Sequence, residues 1–423
     1  LWLNPGYAES ADAHASALDP ARAEARYARC ANLLAQVFPQ LAASHGRLAS
    51  PLQPIPAFRR ALWPRPGAGA WFVKRDDALP VAGSVKARGG FHEVLARAER
   101  IATENGLLDG SSDRRVLAEP AARSLLARYT LAVGSTGNLG LAIGLIAKGL
   151  GFRAVVHMSA DAKAWKKQRL RDRGIEVVEH AGDYAAAVAA GRALAASDPY
   201  VQFVDDERSE DLFLGYAAAA AELAEQLTVQ GRSVDARHPL FVYLPCGVGG
   251  APGGILYGLK RRFGAHVHGF FAEPVAAPCM LVQLAAGCAR PVSVYDVGLD
   301  NRTEADGLAV GLASPLVAPM MAALLSGVFT VEDDTLLADA WRLEACEGAY
   351  VEPSAAAGLR GPAWLLGSAA GAEYLQRHHL ASGMGDATHV IWSTGGSLVP
   401  EAIRQGLRAR GQASVERGDE TGS

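Results

Sequence analysis

The sequence has 423 residues, of which 50% are hydrophobic and 20% charged, so it can form two or three domains with a sizeable core. A net charge of −3 and a pI near 6.4 argue against a broad surface for nucleic acid or anionic membranes. The five cysteines are scattered and form no C-x-x-C pair, which is typical of reduced thiols in a cytoplasmic protein.

The most apolar stretch and the two ends of the chain give no sign of a membrane segment. The first eleven residues lack the basic start and the apolar core of a signal peptide. Residues 307–331 are uncharged and long enough by count to span a bilayer, but Pro315 and Pro319 interrupt them. We expect a buried segment of a water-soluble protein here, and a disordered polar tail over 411–423.

From residue 70 onwards, short β-rich runs alternate with helical runs. The predicted strands are 70–74, 129–133, 154–158, 240–244, 267–272 and 389–392. The predicted helices are 91–100, 139–150, 162–173 and 255–263. This alternation predicts an α/β protein whose parallel sheets are covered by helices on both faces.

The first motif is a lysine among glycines, Gly83-Ser84-Val85-Lys86-Ala87-Arg88-Gly89-Gly90, where a helical run opens. A lysine near a helix start is usually a solvated charge, and it gains nothing from the positive end of the helix dipole. A lysine that such a site keeps neutral can attack an aldehyde and form a Schiff base. The motif alone leaves both readings open.

The second motif, Gly134-Ser135-Thr136-Gly137-Asn138-Leu139-Gly140, lies between an apolar strand and an apolar helix. Gly, Ser and Asn favour turns, so an ordinary turn explains it as well as a functional loop does. As a functional loop it would hold a carboxylate on backbone N–H groups at the helix start, with the Ser135 and Thr136 hydroxyls as further donors.

The third motif is the glycine-rich turn Pro245-Cys246-Gly247-Val248-Gly249-Gly250-Ala251-Pro252-Gly253-Gly254. It joins a strand to a helix, which favours a phosphate site over a merely flexible turn. A dinucleotide site is the main competitor, because Glu273 lies near the distance expected for a ribose contact. That pattern fails where Pro252 replaces the third glycine, and a P-loop fails because no Gly-Lys-Ser/Thr follows.

The fourth motif, Trp392-Ser393-Thr394-Gly395-Gly396, ends the last apolar strand, where a hydroxyl can face a ligand or simply form a turn. Pyridoxal 5'-phosphate (PLP) explains all four motifs, because it needs an amine, a phosphate cradle, a partner for its pyridine nitrogen and a nearby carboxylate site. A nicotinamide enzyme would leave unexplained both Lys86 and the second motif, residues 134–140, which is called the asparagine loop below. The sequence therefore favours PLP.

At these residues the chain resembles the fold-type-II PLP enzymes and, within them, the bacterial D-serine dehydratases, from about residue 2 to residue 400. The stretches around Trp165, Asp206 and Gly307 point to this subfamily. Leu312 departs from it, since an arginine is expected there. The resemblance implies two open, mainly parallel sheets covered by helices, with the active site between a large PLP-binding domain (1–123 and 231–423) and a small domain (124–230).

The resemblance also implies residue roles. Lys86 would carry the cofactor, Asn138 would contact its phenolic oxygen, and Thr394 its pyridine nitrogen. The phosphate would be held by Gly247, Val248, Gly249, Gly250 and Ala251. The substrate would lie against Ser135, Thr136, Gly137, Asn138 and Asp206, with Thr136 assisting proton transfer and Asp206 contacting the substrate hydroxyl. A simpler reading has Thr136 only donating to the carboxylate and Asp206 capping a helix.

Glu273 and Cys279 have the spacing of a monovalent-cation site in related serine dehydratases. A carboxylate suits potassium, whereas sulfur is a poor ligand for so hard an ion. Cys279 could equally be a small buried hydrophobic residue, so the sequence leaves the site open.

The expected function is the α,β-elimination of D-serine to pyruvate and ammonia. L-Serine or threonine dehydration and PLP-dependent β-replacement are the alternatives within the class. A PLP carrier that has lost catalysis is disfavoured by Lys86 and the unbroken asparagine loop, and a dehydrogenase by Pro252. We expect a cytoplasmic, monomeric enzyme whose partner is an amino acid rather than nucleic acid or membrane.

Overall fold

The computed structural model of the protein describes residues 1–8, 18–135, 137–181 and 184–421. The chain forms two compact units. The first consists of Leu1–Ser16, Ser50–Ala78 and Ala219–Ser423, and the second of Ala17–Ala49 and Leu79–Ala218.

Eleven strands lie in the described ranges. They are β1 (Trp2–Leu3), β2 (Leu52–Pro54), β3 (Ala70–Arg75), β4 (Thr130–Gly134), β5 (Arg153–Ser159), β6 (Glu176–His180), β7 (Val201–Val204), β8 (Leu240–Pro245), β9 (Val267–Pro274), β10 (Gly327–Val331) and β11 (Thr388–Ser393).

Seventeen α-helices connect and cover these strands within the same ranges. They are α1 (Pro20–Val37), α2 (Pro56–Leu62), α3 (Lys86–Glu104), α4 (Pro120–Leu126), α5 (Asn138–Leu150), α6 (Ala164–Asp172), α7 (Tyr184–Ser197), α8 (Glu210–Ala217), α9 (Ala219–Val229), α10 (Gly250–Phe263), α11 (Cys279–Ala285), α12 (Val317–Leu324), α13 (Asp333–Glu347), α14 (Pro353–Ala356), α15 (Gly361–Gly367), α16 (Ala369–Arg377) and α17 (Glu401–Thr421).

The first unit contains a seven-stranded sheet in the order β1-β10-β9-β8-β11-β3-β2. The five inner strands run parallel, and only the two edge strands β1 and β2 are antiparallel to their neighbours. The inner strands are almost continuously buried, as expected where helices cover both faces. The parallel order places the carboxyl ends of β8, β9 and β11 side by side at one edge.

The second unit contains a four-stranded parallel sheet in the order β6-β5-β4-β7. Helices α5 and α7 pack on this sheet, while α3 packs against α5 and α8. The prediction of two open, mainly parallel sheets covered by helices is therefore confirmed.

The bounds of the two units differ from the expected domains. Residues 17–49 and 79–123 belong by packing to the unit that also holds 124–218. The physical reason is α3, whose buried face includes Phe91, Val94 and Leu95 and packs against helices of the second unit. The functional division into a PLP-binding domain and a small domain stays a prediction.

The uncharged segment 307–331 is divided between α12 and β10, with an irregular stretch before them. Strand β10 pairs in parallel with β9, inside the first sheet. Among the described residues, no helix combines the length and the apolar character needed to cross a membrane.

The expectation of a disordered tail over 411–423 is wrong as far as Thr421, because α17 continues through it; residues 422 and 423 lie outside the described ranges. Helix α17 packs on α13. Gly411 lies directly against the Leu337 carbonyl, with no room for a Cβ. Arg408 pairs with Glu344 at 2.6 Å. This polar segment therefore forms a helix that packs on the rest of the protein.

Candidate active site

Lys86 is the first residue of α3, in the second unit. The loop before it contains Gly83 at φ +59°, a left-handed conformation that favours glycine. Three residues into the helix, the Tyr216 ring fills the space that a Cβ on Gly89 would need, and the Lys86 ammonium lies 5.8 Å from the centre of that ring. The helix start thus sets the position of Lys86, and Tyr216, from a distant part of the chain, packs beside its side chain.

Asp206 is the residue that the fold brings to Lys86 from 120 positions along the chain. Its Oδ2 lies 3.3 Å from Lys86 Nζ, and its side chain is only 8% exposed. Its Oδ1 is buried and accepts no hydrogen bond within the described part of the chain. A buried carboxylate oxygen needs a donor, so this atom fits a polar group of a ligand beside the amine.

The asparagine loop is held in part by its own serine. Ser135 Oγ accepts hydrogen bonds from the N–H groups of Gly137 and Gly140, both at 2.9 Å. The Ser135 N–H donates to the His157 carbonyl at 3.0 Å. A hydroxyl oxygen that accepts two bonds still has its own proton to donate, so Ser135 fits a carboxylate through its O–H rather than through its amide.

Gly137 and Asn138 complete the described part of this loop. Gly137 has φ +141°, and a Cβ there would lie 2.7 Å from the Lys166 side chain, so only glycine suits the position. Asn138 begins α5 and is half-buried. Thr136 lies outside the described residues.

The glycine-rich loop lies in the first unit, between β8 and α10. Gly249 immediately precedes the helix at φ +110°, and a Cβ there would lie 2.5 Å from Met280. Gly249 has no side chain to cap the first-turn N–H groups of α10. The start of a fourteen-residue helix that no side chain caps, preceded by a glycine-rich backbone, fits a phosphate.

Thr394 follows β11, directly beside the strand that leads into the glycine loop. It is half-buried, while the neighbouring Ser393 is buried with an Oγ that has no hydrogen-bond partner among the described residues. Trp392 donates its indole N–H to Asp76 at 2.7 Å, which fixes the end of β11. A phosphate cradle and a hydroxyl at one sheet edge match the two ends of one PLP molecule.

Glu273 lies near the carboxyl end of β9, and Cys279 begins α11 shortly after that strand. Glu273 is fully buried and accepts hydrogen bonds from the Met280 and Leu281 amides at 2.8 and 2.9 Å. The Cys279 thiol donates to the Gly247 carbonyl at 3.2 Å. Burial raises the pKa of Glu273 to about 8. A buried carboxylate and a backbone carbonyl beside the glycine-rich loop are oxygen ligands of the kind that potassium binds.

Within the described ranges, no group of three or more His, Cys, Asp or Glu side chains could hold a metal ion. The carbonyl of Gly247 would have to supplement Glu273 at a cation site. The cation site therefore stays a prediction.

Sequence reasoning missed Arg192 of α7. The fold joins it to Asp205 at 2.9 Å and to Glu207 at 2.7 Å, on either side of Asp206. One signal was present in the sequence, because Arg192 is the only charged residue of an alanine-rich helix.

An amine paired with a carboxylate, and a glycine-rich helix start beside a hydroxyl, are groups of the kind that a PLP enzyme needs. The family model for pyridoxal-phosphate-dependent enzymes matches residues 44–374. The chain therefore belongs to the pyridoxal-phosphate-dependent enzyme family.

Proteins of similar sequence or structure are more specific than the family model. A protein from Burkholderia thailandensis named probable D-serine dehydratase is 63% identical over 97% of this chain and 92% of its own length. One of the same name from Cupriavidus pinatubonensis is 64% identical over 95% of this chain and 90% of its own length. Diaminopropionate ammonia lyase from Escherichia coli, solved in complex with D-serine, is 19% identical, has a TM-score of 0.71, and matches 97% of this chain and 95% of that one. This last likeness concerns the fold.

Proposed function

We propose that this protein is a PLP-dependent ammonia-lyase that converts D-serine to pyruvate and ammonia by α,β-elimination. The observation that carries the proposal is the identity of 63–64%, over nearly the whole chain, to proteins named probable D-serine dehydratase. The Lys86–Asp206 pair supports it, because an amine and a buried carboxylate 3.3 Å apart are groups that a site for an amino acid would use.

When bound, PLP supplies an aldehyde for the amine and an electron sink for the charge that develops on the substrate Cα. Lys86 would hold the cofactor through its amine. Residues 247–251 would hold the phosphate on backbone N–H groups.

The Thr394 hydroxyl would form a hydrogen bond with the pyridine nitrogen, as donor or as acceptor. A hydroxyl, unlike a carboxylate, does not enforce a protonated ring, so charge delocalisation into the ring is limited. That limit suits elimination, because the leaving hydroxide removes the charge as soon as it forms.

The substrate carboxylate would be bound by the asparagine loop, with the Ser135 O–H and the N–H of Asn138 as donors. The buried Oδ1 of Asp206 would accept from the substrate hydroxyl, and Thr136 would assist proton transfer on the face that Lys86 does not reach. The unsatisfied Oδ1 supports the role of Asp206.

The experiment for this proposal measures pyruvate released by the PLP-loaded protein from D-serine, L-serine and D-threonine. We expect kcat/KM for D-serine to exceed that for L-serine by tenfold or more. Equal or higher turnover of L-serine would favour the L-serine or threonine dehydratase alternative. Consumption of D-serine only with an added thiol, without pyruvate, would favour β-replacement.

We further propose a potassium ion at Glu273, beside the Gly247 carbonyl and Cys279. The support is the fully buried Glu273 carboxyl group, which accepts hydrogen bonds from two amides and lies where burial raises its pKa, because a cation beside it would stabilise the ionised form. Activity should rise when potassium replaces tetramethylammonium at constant ionic strength, and Glu273→Ala should abolish the rise. Activity that is indifferent to the cation would contradict the site.

We also propose a monomeric cytoplasmic enzyme with neither nucleic acid nor membrane as a partner. Its support is the pI near 6.4 and the five cysteines, all of which are free thiols in the structure. Sedimentation of the PLP-loaded protein should give one species near 44.3 kDa, and a dimer mass would contradict the monomer.

A further inference from the structure

The loop that carries Asp206 is clamped by one guanidinium. Arg192 Nε donates to Asp205 Oδ2 and its Nη2 donates to Asp205 Oδ1, both at 2.9 Å. The same Nη2 donates to Glu207 Oε2 at 2.7 Å. Asp205 and Glu207 flank Asp206, so Arg192 fixes the loop on both sides of the residue that contacts Lys86.

The helix that carries Arg192 is itself held in place by packing. Arg192 lies on α7, which packs against the sheet strands β4, β5 and β7. The preceding residue, Gly191, lies so close to the Phe203 ring that no Cβ would fit between them. Phe203 belongs to β7, the strand that leads into Asp205. The guanidinium therefore has a defined position relative to the start of the loop.

The clamp also balances charge. Asp205, Asp206 and Glu207 are three consecutive carboxylates, and like charges this close repel one another. Arg192 pairs with the two outer ones and Lys86 with the middle one. Removal of the guanidinium would remove a positive charge that Asp205 and Glu207 share, so the repulsion among the three carboxylates would rise and favour a shift of the loop that carries Asp206.

We propose that Arg192 is a positioning residue that holds Asp206 in place for its contacts with Lys86 and with the substrate hydroxyl. This inference rests on the proposed function. Arg192 acts through the loop and need not touch substrate or cofactor.

A positioning residue affects catalysis more than it affects the stability of the fold, whereas a structural residue affects stability. The Arg192 side chain is 36% exposed, and exposed ion pairs contribute only about 0–1 kcal/mol to stability. Arg408 of α17 is a matched control, since it also joins two carboxylates, Glu344 and Glu401, and is 35% exposed. Arg192→Ala and Arg408→Ala should lower the unfolding temperature by similar small amounts, whereas only Arg192→Ala should impair catalysis.

The decisive experiment is a double-mutant cycle between Arg192→Ala and Asp206→Ala, with kcat and KM for D-serine as one readout. Arg192→Ala should lower kcat tenfold or more while KM changes by no more than a few-fold. In the Asp206→Ala background, Arg192→Ala should have no further effect, because its target is gone.

A second readout does not depend on activity. In the cofactor-free full-length protein, acetylation of Lys86 is measured by peptide mass spectrometry. It should be faster in both single variants than in wild type, because an amine released from its carboxylate partner is more nucleophilic, and the double variant should match Asp206→Ala.

Three outcomes separate the hypotheses. If wild type does not turn over D-serine but Lys86 labelling follows the expected pattern, the proposed function fails while the clamp stands. If Arg192→Ala retains wild-type kcat and labelling, the clamp is refuted. Effects of the two substitutions that simply add would also refute it, because Arg192 would then act independently of Asp206.

Discussion

The two oxygens of the Asp206 carboxylate are in different situations. Oδ2 faces the Lys86 amine, whereas Oδ1 is buried without a donor among the described residues. A buried acceptor without a donor is costly, and such atoms often mark where a ligand binds. This asymmetry supports assigning a substrate contact to Asp206.

Substitution of the two proposed substrate-side residues tests their roles. Asp206→Ala and Thr136→Ala should each lower kcat for D-serine by about a hundredfold or more, the usual scale for a group that moves or orients a proton. Asp161→Ala, which removes an exposed carboxylate of the same unit, is the control. If only KM rises and kcat stays within a few-fold, the two residues bind substrate without moving protons.

The glycine loop is tested by adding side-chain bulk. Gly250→Val should weaken PLP affinity tenfold or more, because a branched side chain at the first residue of α10 blocks the approach of a phosphate. Gly406→Val on the exposed side of α17, where a Cβ meets nothing within 4 Å, controls for the intrinsic helix cost of valine. Unchanged PLP affinity in Gly250→Val would contradict the assignment of the glycine-rich loop as the phosphate-binding site.

At the scale of elements, long apolar segments were predictable and short polar ones were not. Strands β8 and β11 were predicted to within one residue at either end, because each is a continuous apolar run between turn residues. Strand β6 was missed, since its sequence Glu-Val-Val-Glu-His is partly exposed and carries little strand signal. Strand β7 has four residues and was missed for the same reason.

For the candidate site, too, the sequence indicated the residues in local motifs but not the pairs that join distant segments. Lys86, the glycine loop and Thr394 stand in local motifs, so the sequence marks them directly. The Lys86–Asp206 and Arg192–Asp205 pairs join distant segments and depend on how α3, α7 and β7 pack, which no local pattern records. The tail helix α17 was missed because its packing partner, α13, is likewise distant in sequence.

Helix α3, which begins at Lys86, is anchored in the second unit by a buried histidine. His92 Nδ1 donates to the Asp211 carbonyl at 2.7 Å, and its Nε2 accepts from Arg26 at 2.6 Å. Both bonds require a neutral ring with its proton on Nδ1. Burial, together with the positive charge of Arg26, lowers the pKa of His92 to about 4.

The sign of the pH dependence follows. Between pH 6.5 and 4 the unfolded chain protonates His92 while the folded protein does not, so the free energy of unfolding falls with falling pH, by up to about 1.4 kcal/mol per pH unit. His92→Gln should flatten the dependence in that window, as measured by urea midpoints at pH 7 and pH 5. Exposed His379→Asn should leave it unchanged. An unaltered slope in His92→Gln would contradict the anchoring role.

At the scale of the whole molecule, the two compact units contain different candidate groups. The second unit contains Lys86, the asparagine loop and Asp206, whereas the first contains the glycine loop, Thr394 and Glu273. In the first unit the parallel strand order collects these groups at the carboxyl edge of one sheet. That edge is where open α/β sheets bind ligands, which explains why three distant motifs converge there.

One lysine, Lys86, is proposed to hold the cofactor of this enzyme. The most direct measurement reduces the PLP-loaded protein with borohydride, digests it and maps the labelled peptide by mass spectrometry. We expect a single phosphopyridoxyl group on the peptide containing Lys86, and its loss in Lys86→Ala together with pyruvate formation from D-serine. Stoichiometric labelling of another lysine, or full D-serine turnover by Lys86→Ala, would contradict the assignment of Lys86 as the cofactor lysine.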